Sequence, residues 1–268
     1  MSVSRLNLIA KGRTTMFNPL DYPLLILVGS LLTFSVSSSI GAWLRNRTRN
    51  VEADDRDDFK FILGGTLTLL GLIIGFTFSM AVNRYDQRKN LEQQEANAIG
   101  TEYDRADLLP PADTAKVRGL LKSYLDQRIS SYTSRNEQRP GQILAQTARL
   151  QTEMWSAVRT SVAAQPSPLT SLAVSGMNEV LDRQGDALAA RRNRIPVEAW
   201  ALLIIMSIFC NLLLGYGVLQ RSSFLFLVLP IALSISLFLI ADIDSPVRGV
   251  IRVQPQNLES LAESLHSR

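Results

Sequence analysis

The chain holds one cysteine, one histidine and little charge, and each scarcity removes a class of function. Cys210 has no second cysteine to pair with, so an intrachain disulfide and a cysteine-built metal cluster are both excluded. It lies inside an apolar run, where a thiol packs as a small hydrophobe. His266, near the C-terminus, is the only imidazole. No G-x-S-x-G, no H-E-x-x-H and no phosphate-cradling glycine loop occurs. Catalytic residues, metal ligands and cofactors are therefore expected to be none, and the chain reads as no enzyme. Charged residues make up 19% of the chain, below the ~25% usual for soluble domains. The net charge of +4 is spread among acids rather than gathered in a basic block, so nucleic acid is not an expected partner. No alternating apolar–polar run long enough for a strand occurs.

What is present is apolar length. Hydrophobic residues are 46% of the chain and gather in four blocks, at about 22–44, 61–82, 197–219 and 223–243. Each reaches the ~20 residues a helix needs to cross a bilayer. Tyr22, Trp43, Trp200 and Tyr216 stand near block ends, as interfacial aromatics do. For the first block, the small residues of "SSSIGA" offer a signal-peptide alternative. The length of the run and the about 19 residues before it favour a span. The expected fold is an all-α membrane protein with four transmembrane helices, paired two and two. The expected divisions are an N-terminal segment 1–20, a first helix pair 21–82, a helical cytoplasmic region 83–196, a second pair 197–243 and a C-terminal tail 244–268.

Four crossings place both termini and the central region on one side. That side holds Arg5, Lys11, Arg13, Arg84, Arg88, Lys89, Arg191, Arg192, Arg194, Arg248 and Arg252. The other holds Arg45, Arg47, Arg49, Arg56, Lys60 and Arg221. Eleven against six gives cytoplasmic termini in an inner-membrane protein, although the run at 45, 47 and 49 pulls the other way. In the central region, Pro110-Pro111, "NEQRPGQ" and "PSP" separate helices expected over 112–135, 143–164 and 169–194. Pro196 opens the third block at a first-turn position, where proline is tolerated.

The second block has no stop. Its last turns run into "GFTFSMAVNRYDQRKNLEQQEANAIG", and no proline interrupts the chain from 61 to about 109. As one helix it would be ~70 Å long against ~30 Å of hydrocarbon. Arg88/Glu92, Lys89/Glu92 and Glu102/Arg105 read as supporting pairs. Tyr85, Ala96, Ile99, Tyr103 and Ala106 form a thin stripe for packing on the other central helices. The alternative is a break near Asn83, with the rest lying along the membrane surface.

Several residues carry two readings. Gly64, Thr68, Gly71, Gly75 and Ser79 recur at steps of three and four on one narrow face of small groups. That face serves either close helix packing, through the G-x-x-x-G of Gly71 and Gly75, or a pore wall whose hydroxyls solvate an ion. Ile74, Phe78 and Val82 form an adjacent apolar face, directed either to lipid and core or to a constriction. Arg84, Arg88 and Lys89 are membrane anchors singly, or a cationic mouth if several copies surround an axis. Asp242 and Asp244 with Arg248 and Arg252 make either an ion-pair clasp or a solvated helix end. Two carboxylates so spaced are a poor metal site alone. Glu198 suits the N-terminal dipole of its helix, and Asn211 suits a bond to a neighbouring helix.

The segments "FTFSMAVNRYDQRKNLEQQEANAIGTEYDRADLLP", 76–110, and "LIADIDSPVRGVIRVQPQNL", 239–258, resemble the two signatures of a family of bacterial membrane proteins carrying a bestrophin-like domain. With the two-plus-two layout, the resemblance spans most of the chain. Bestrophins are pentameric anion channels with four membrane segments and a large helical cytosolic region after the second. The resemblance thus implies a homo-oligomer, a pentamer on that pattern, which lies in a lipid bilayer and passes small anions. Their second segment lines an apolar neck, which here favours Ile74, Phe78 and Val82. The stretch "NRYDQR" is similar to the one after their neck, but is a residue shorter between its arginines and has a single aromatic. "DIDSPVRG" matches only part of the acidic, proline-containing stretch after their fourth segment. The calcium-binding acidic run of animal bestrophins is missing, so calcium gating is not implied. The other class of function is a non-conducting scaffold or sensor that binds a partner through its cytoplasmic helices.

Overall fold

The computed structural model describes residues 19–47, 53–134, 140–217 and 225–267. The expected N-terminal segment, apart from its last residues, lies outside them. So do the link at 48–52, most of the turn at 135–139 and the short link at 218–224.

Among the described residues the chain is built of helices and no strand occurs. α1 is Pro23–Arg47, α2 is Ala53–Arg105, α3 is Pro111–Thr133 and α4 is Pro140–Ala164. α5 is Pro168–Arg192, α6 is Val197–Gly217, α7 is Leu225–Asp244 and α8 is Gln256–His266. Prolines set the starts. Pro111 and Pro168 lie in the first turns of α3 and α5, where the missing N–H is not needed. Ser167 and Thr170 close a capping box at the start of α5. α2 runs its 53 residues without interruption through Asn83, ~80 Å of helix. A 3-10 turn at Ala106–Leu108 then leads to Pro110.

The helices form two layers. Four, α1, α2, α6 and α7, carry stretches long and apolar enough to cross a membrane. Their core holds Phe34, Leu70, Leu203, Cys210, Leu237 and Ile240. Trp200, in the first turn of α6, is buried in this core. Polar groups stitch α1 to α6. Ser37 donates to the Ile208 carbonyl at 2.8 Å, and Ser38 donates to Asn211 Oδ1 at 3.3 Å. Asn211 thus meets the neighbouring helix, as its mid-membrane position suggests.

The second layer holds the extension of α2 with α3, α4, α5 and α8. Ala96, Ile99 and Tyr103 of α2 and Ala106 of the 3-10 turn after it enter its core with Leu121, Tyr124, Met154 and Met177. Residues after 244 are more than a tail. They include α8, which docks through Leu258 and Leu265 on this core.

Candidate functional site

α2 has two contrasting faces along its length. Leu70, Thr77, Ala81, Arg88, Glu92, Glu95, Ile99 and Glu102 are buried and recur with helical spacing on one side. The opposite side is covered by none of the described residues. Gly65, Thr68, Leu72, Phe76, Ser79, Asn83, Gln87, Asn90, Gln94, Asn97 and Thr101 are all exposed along it. The open stripe begins apolar and small within the membrane stretch and becomes carboxamide-rich past Asn83. Leu72 and Phe76 are 54% and 67% exposed and are large apolar groups on the stripe.

This arrangement separates the residues singled out in the sequence. Gly64, Thr68, Gly71, Gly75 and Ser79 are exposed. A Cβ at Gly64, Gly71 or Gly75 would meet nothing within 4 Å, so these glycines are in close contact with no other helix among the described residues. The face of Ile74, Phe78 and Val82 does not coincide with the open stripe. Ile74 and Val82 are partly buried against the membrane core, and Phe78, 39% exposed, lies on the flank. The reason is that α6 and α7 pack on this side of α2.

The three basic residues past the membrane stretch also part company. Arg88 is buried and donates to the carbonyls of Ile243 at 2.6 Å and Asp244 at 3.3 Å, closing the C-terminal end of α7. It is a tie between two helices. Arg84 donates to Asn193 Oδ1 at 2.9 Å. Lys89 is exposed, on the flank of the stripe. At the end of α7 the four clasp residues have several partners. Asp244 takes Arg194 at 3.0 Å and the backbone N–H of Ile195 at 3.3 Å. Asp242 accepts the N–H groups of Val250 and Ile251 at 2.7 and 2.8 Å. Arg248 stacks on Tyr22 at 3.9 Å, and Arg252 lines a cleft nearby. Asp242 therefore shapes the loop, and Asp244 holds the α5–α6 junction.

Charges on the buried face of α2 form a column that the pair reading of Arg88/Glu92 and Glu102/Arg105 does not show. Glu92 caps α8, accepting from the N–H groups of Asn257 and Leu258 at 3.0 Å and from Asn257 Nδ2 at 2.6 Å. Glu95 is paired with Arg128 of α3. The visible signal is the spacing 88, 92, 95, 99, 102, which is one helix face.

Glu102 is fully buried against Gly176 of α5, and neither carboxyl oxygen has a hydrogen-bond partner among the described residues. Burial raises its pKa to about 8, against the opposing pull of Arg105. The folded chain thus holds a proton that the unfolded chain releases above its ordinary value. Stability from this group is complete below about pH 4.5 and is lost as pH rises through 8. Thermal unfolding in detergent should show wild type losing stability from pH 6 to 9, by at most about 1.4 kcal/mol per pH unit. Glu102→Gln should flatten that slope. Parallel curves for the two proteins would mean that Glu102 does not hold the proton.

Comparisons with known proteins agree with this architecture. A model of the Bestrophin-like domain matches residues 32–258. Among curated proteins, none matches the chain. Among solved structures, a point mutant of a bacterial bestrophin homologue from Klebsiella pneumoniae is similar at TM-score 0.61 and 14% identity, covering 91% of this chain and 98% of that one. A second structure of the Klebsiella pneumoniae homologue, phased on zinc, gives TM-score 0.60 and 16% identity, with 90% and 95% covered. At such identity the likeness establishes the fold. With two signatures, the two-plus-two layout and a family model reaching from the first membrane helix to the last short one, this multi-pass membrane protein belongs to the bestrophin-like family.

Proposed function

We propose that several copies, a pentamer on the bestrophin pattern, surround an axis with the open stripe of α2 facing it and pass small anions. The observation that carries this reading is the stripe itself, left uncovered by the described residues from Gly65 to Thr101. A helix face through both layers that no described neighbour covers is suited to an axis shared by copies. Leu72 and Phe76 supply an apolar constriction of the kind that gates by dewetting, in place of Ile74, Phe78 and Val82. Thr68 and Ser79 supply hydroxyls, and the small residues Gly64, Gly71 and Gly75 leave width. Past the membrane, Asn83, Asn90 and Asn97 offer N–H donors to an anion. Asp86, exposed beside Asn83, is offset by the basic flank of Arg84 and Lys89. The chain sits in the inner membrane with its termini and the 83–196 region cytoplasmic, on the basic-residue bias.

Reconstitution in a planar bilayer under a potassium chloride gradient tests the reading. Wild type should give currents whose reversal potential follows chloride. Phe76→Ala should raise leak current severalfold, because the constriction widens and wets. Phe78→Ala should change it little. A cation-following potential would keep the channel and overturn the anion. A larger effect at Phe78 would return the neck to Ile74, Phe78 and Val82. Silence from both variants in a purified oligomer would make the protein a scaffold or sensor.

A further inference from the structure

On the side of α2 away from the open stripe, a narrow cleft with about 30 Å³ of water-accessible space opens between α2, the C-terminal ends of α3 and α5 and the loop after α7. Three guanidiniums line it, those of Arg88, Arg191 and Arg252, together with Tyr132, Ser131 and Ser134. None of the described lining residues is acidic. Asp244 is engaged with Arg194 and Ile195, and Glu95 with Arg128.

The cations are held in place before any ligand arrives. Arg88 is fixed by two carbonyls of α7, which occupy two of its five N–H donors. Arg191 lies over the Tyr132 ring at 3.9 Å and donates to the Ser131 carbonyl at 3.4 Å. Arg252 is half-buried and has no hydrogen bond or ion pair among the described residues. Burial lowers the Arg88 pKa first; Asp244 opposes this, and Arg194, Arg84 and Arg191 push it further down. A bound anion would relieve that repulsion.

We propose that this cleft binds one phosphate-bearing anion per chain, held in the forks of Arg191 and Arg252 with Arg88 behind them. Arginine forks match phosphate oxygens in pairs, which favours phosphate over a spherical halide. The depth also fits. Arg88 lies six residues, ~9 Å, past the apolar stretch that ends at Val82, and the lining loop begins directly after α7. That is the level of lipid headgroups, so the phosphate belongs either to an anionic lipid or to a soluble phosphate arriving from the aqueous side. The cleft is separate from the proposed conduction path, since Arg88 lies on the face of α2 opposite Asn83 and Asn90.

Two binding measurements on the full chain in detergent test this. Native mass spectrometry would follow retention of phosphatidylglycerol against phosphatidylcholine. Calorimetry in low-chloride buffer would follow titration with inorganic phosphate. Preferential phosphatidylglycerol retention that phosphate does not displace assigns the headgroup; phosphate binding that displaces the lipid assigns the soluble source. In either case Arg252→Gln should weaken the bound species tenfold or more, and Arg252→Lys less. Lys89→Gln, outside the cleft, should bind as wild type. Folding of Arg252→Gln is checked by an unchanged elution profile and melting curve. Binding of neither species, or equal binding by Arg252→Gln and wild type, would overturn the proposal. A silent bilayer recording would leave it standing, so its failure and that of the channel reading are separable.

Discussion

Replacing Glu95 with alanine is expected to destabilise the layer outside the membrane by about 3–5 kcal/mol, the cost of leaving a buried charge without its partner. Glu95 is fully buried and Arg128 is 4% exposed. Their side chains meet through two bonds, Nε to Oε1 at 2.5 Å and Nη2 to Oε2 at 3.2 Å. The pair joins α2 to α3 beside Tyr124 and Tyr132, both of which are packed into the same core. In Glu95→Ala the guanidinium would keep its charge, lose its acceptors and remain enclosed by apolar groups. In a chain of this size each kcal/mol moves the melting midpoint by roughly 2–4 °C. A fall on the order of 10 °C should therefore appear in thermal unfolding followed by circular dichroism. Glu95→Gln keeps one acceptor and should fall between. The double variant Glu95→Leu with Arg128→Met should recover much of the loss, because a packed apolar pair avoids the desolvation that both charges suffer. A single alanine variant that melts with wild type would show the pair to be solvated.

Such a pair is invisible to periodicity, although the helices that carry it are not. Helix positions are legible because each membrane helix is a long apolar run and the central helices start at prolines. What periodicity does not supply is direction. The membrane stretch of α2 is apolar or small on every side, so Ile74-Phe78-Val82 and Thr68-Leu72-Phe76 are equally regular as patterns. Only the packing of α6 and α7 on one side tells them apart. Charges mislead for a related reason. Arg88 and Glu92 satisfy the four-residue rule for a surface pair, but their partners lie on α7 and α8, more than 150 positions away. Arg194, which closes the clasp on Asp244, is likewise remote in sequence. α8 is visible in outline. Leu258, Leu261 and Leu265 come after Pro255 at steps of three and four, a helix signal that its 11-residue length obscures.

Substituting leucine for Gly215 is expected to be the most damaging single change in the membrane layer. The backbones of α1 and α6 touch at two reciprocal points. A Cβ on Gly215 would overlap the carbonyl oxygen of Ser38, and a Cβ on Gly41 would overlap that of Leu212. The obstacles are backbone atoms, so no rotamer change can relieve either overlap. Leucine at 215 must push the helices apart. Separation would stretch the Ser37 bond to Ile208 at 2.8 Å, the Ser38 contact with Asn211 at 3.3 Å and the Arg45 bond to Gly217 at 3.0 Å. In lipid, helices gain little from leaving water and are held by close packing and such bonds, each about 0.6–2 kcal/mol. Their joint loss should leave most of the expressed protein aggregated in fluorescence-detected size exclusion, with a smaller loss for Gly215→Ala. Gly29 supplies the control. It lies on α1 as well, but a Cβ there would meet nothing within 4 Å, so Gly29→Leu should elute as wild type. Equal profiles for the leucine variants at 29 and 215 would mean that α1 and α6 are not in backbone contact.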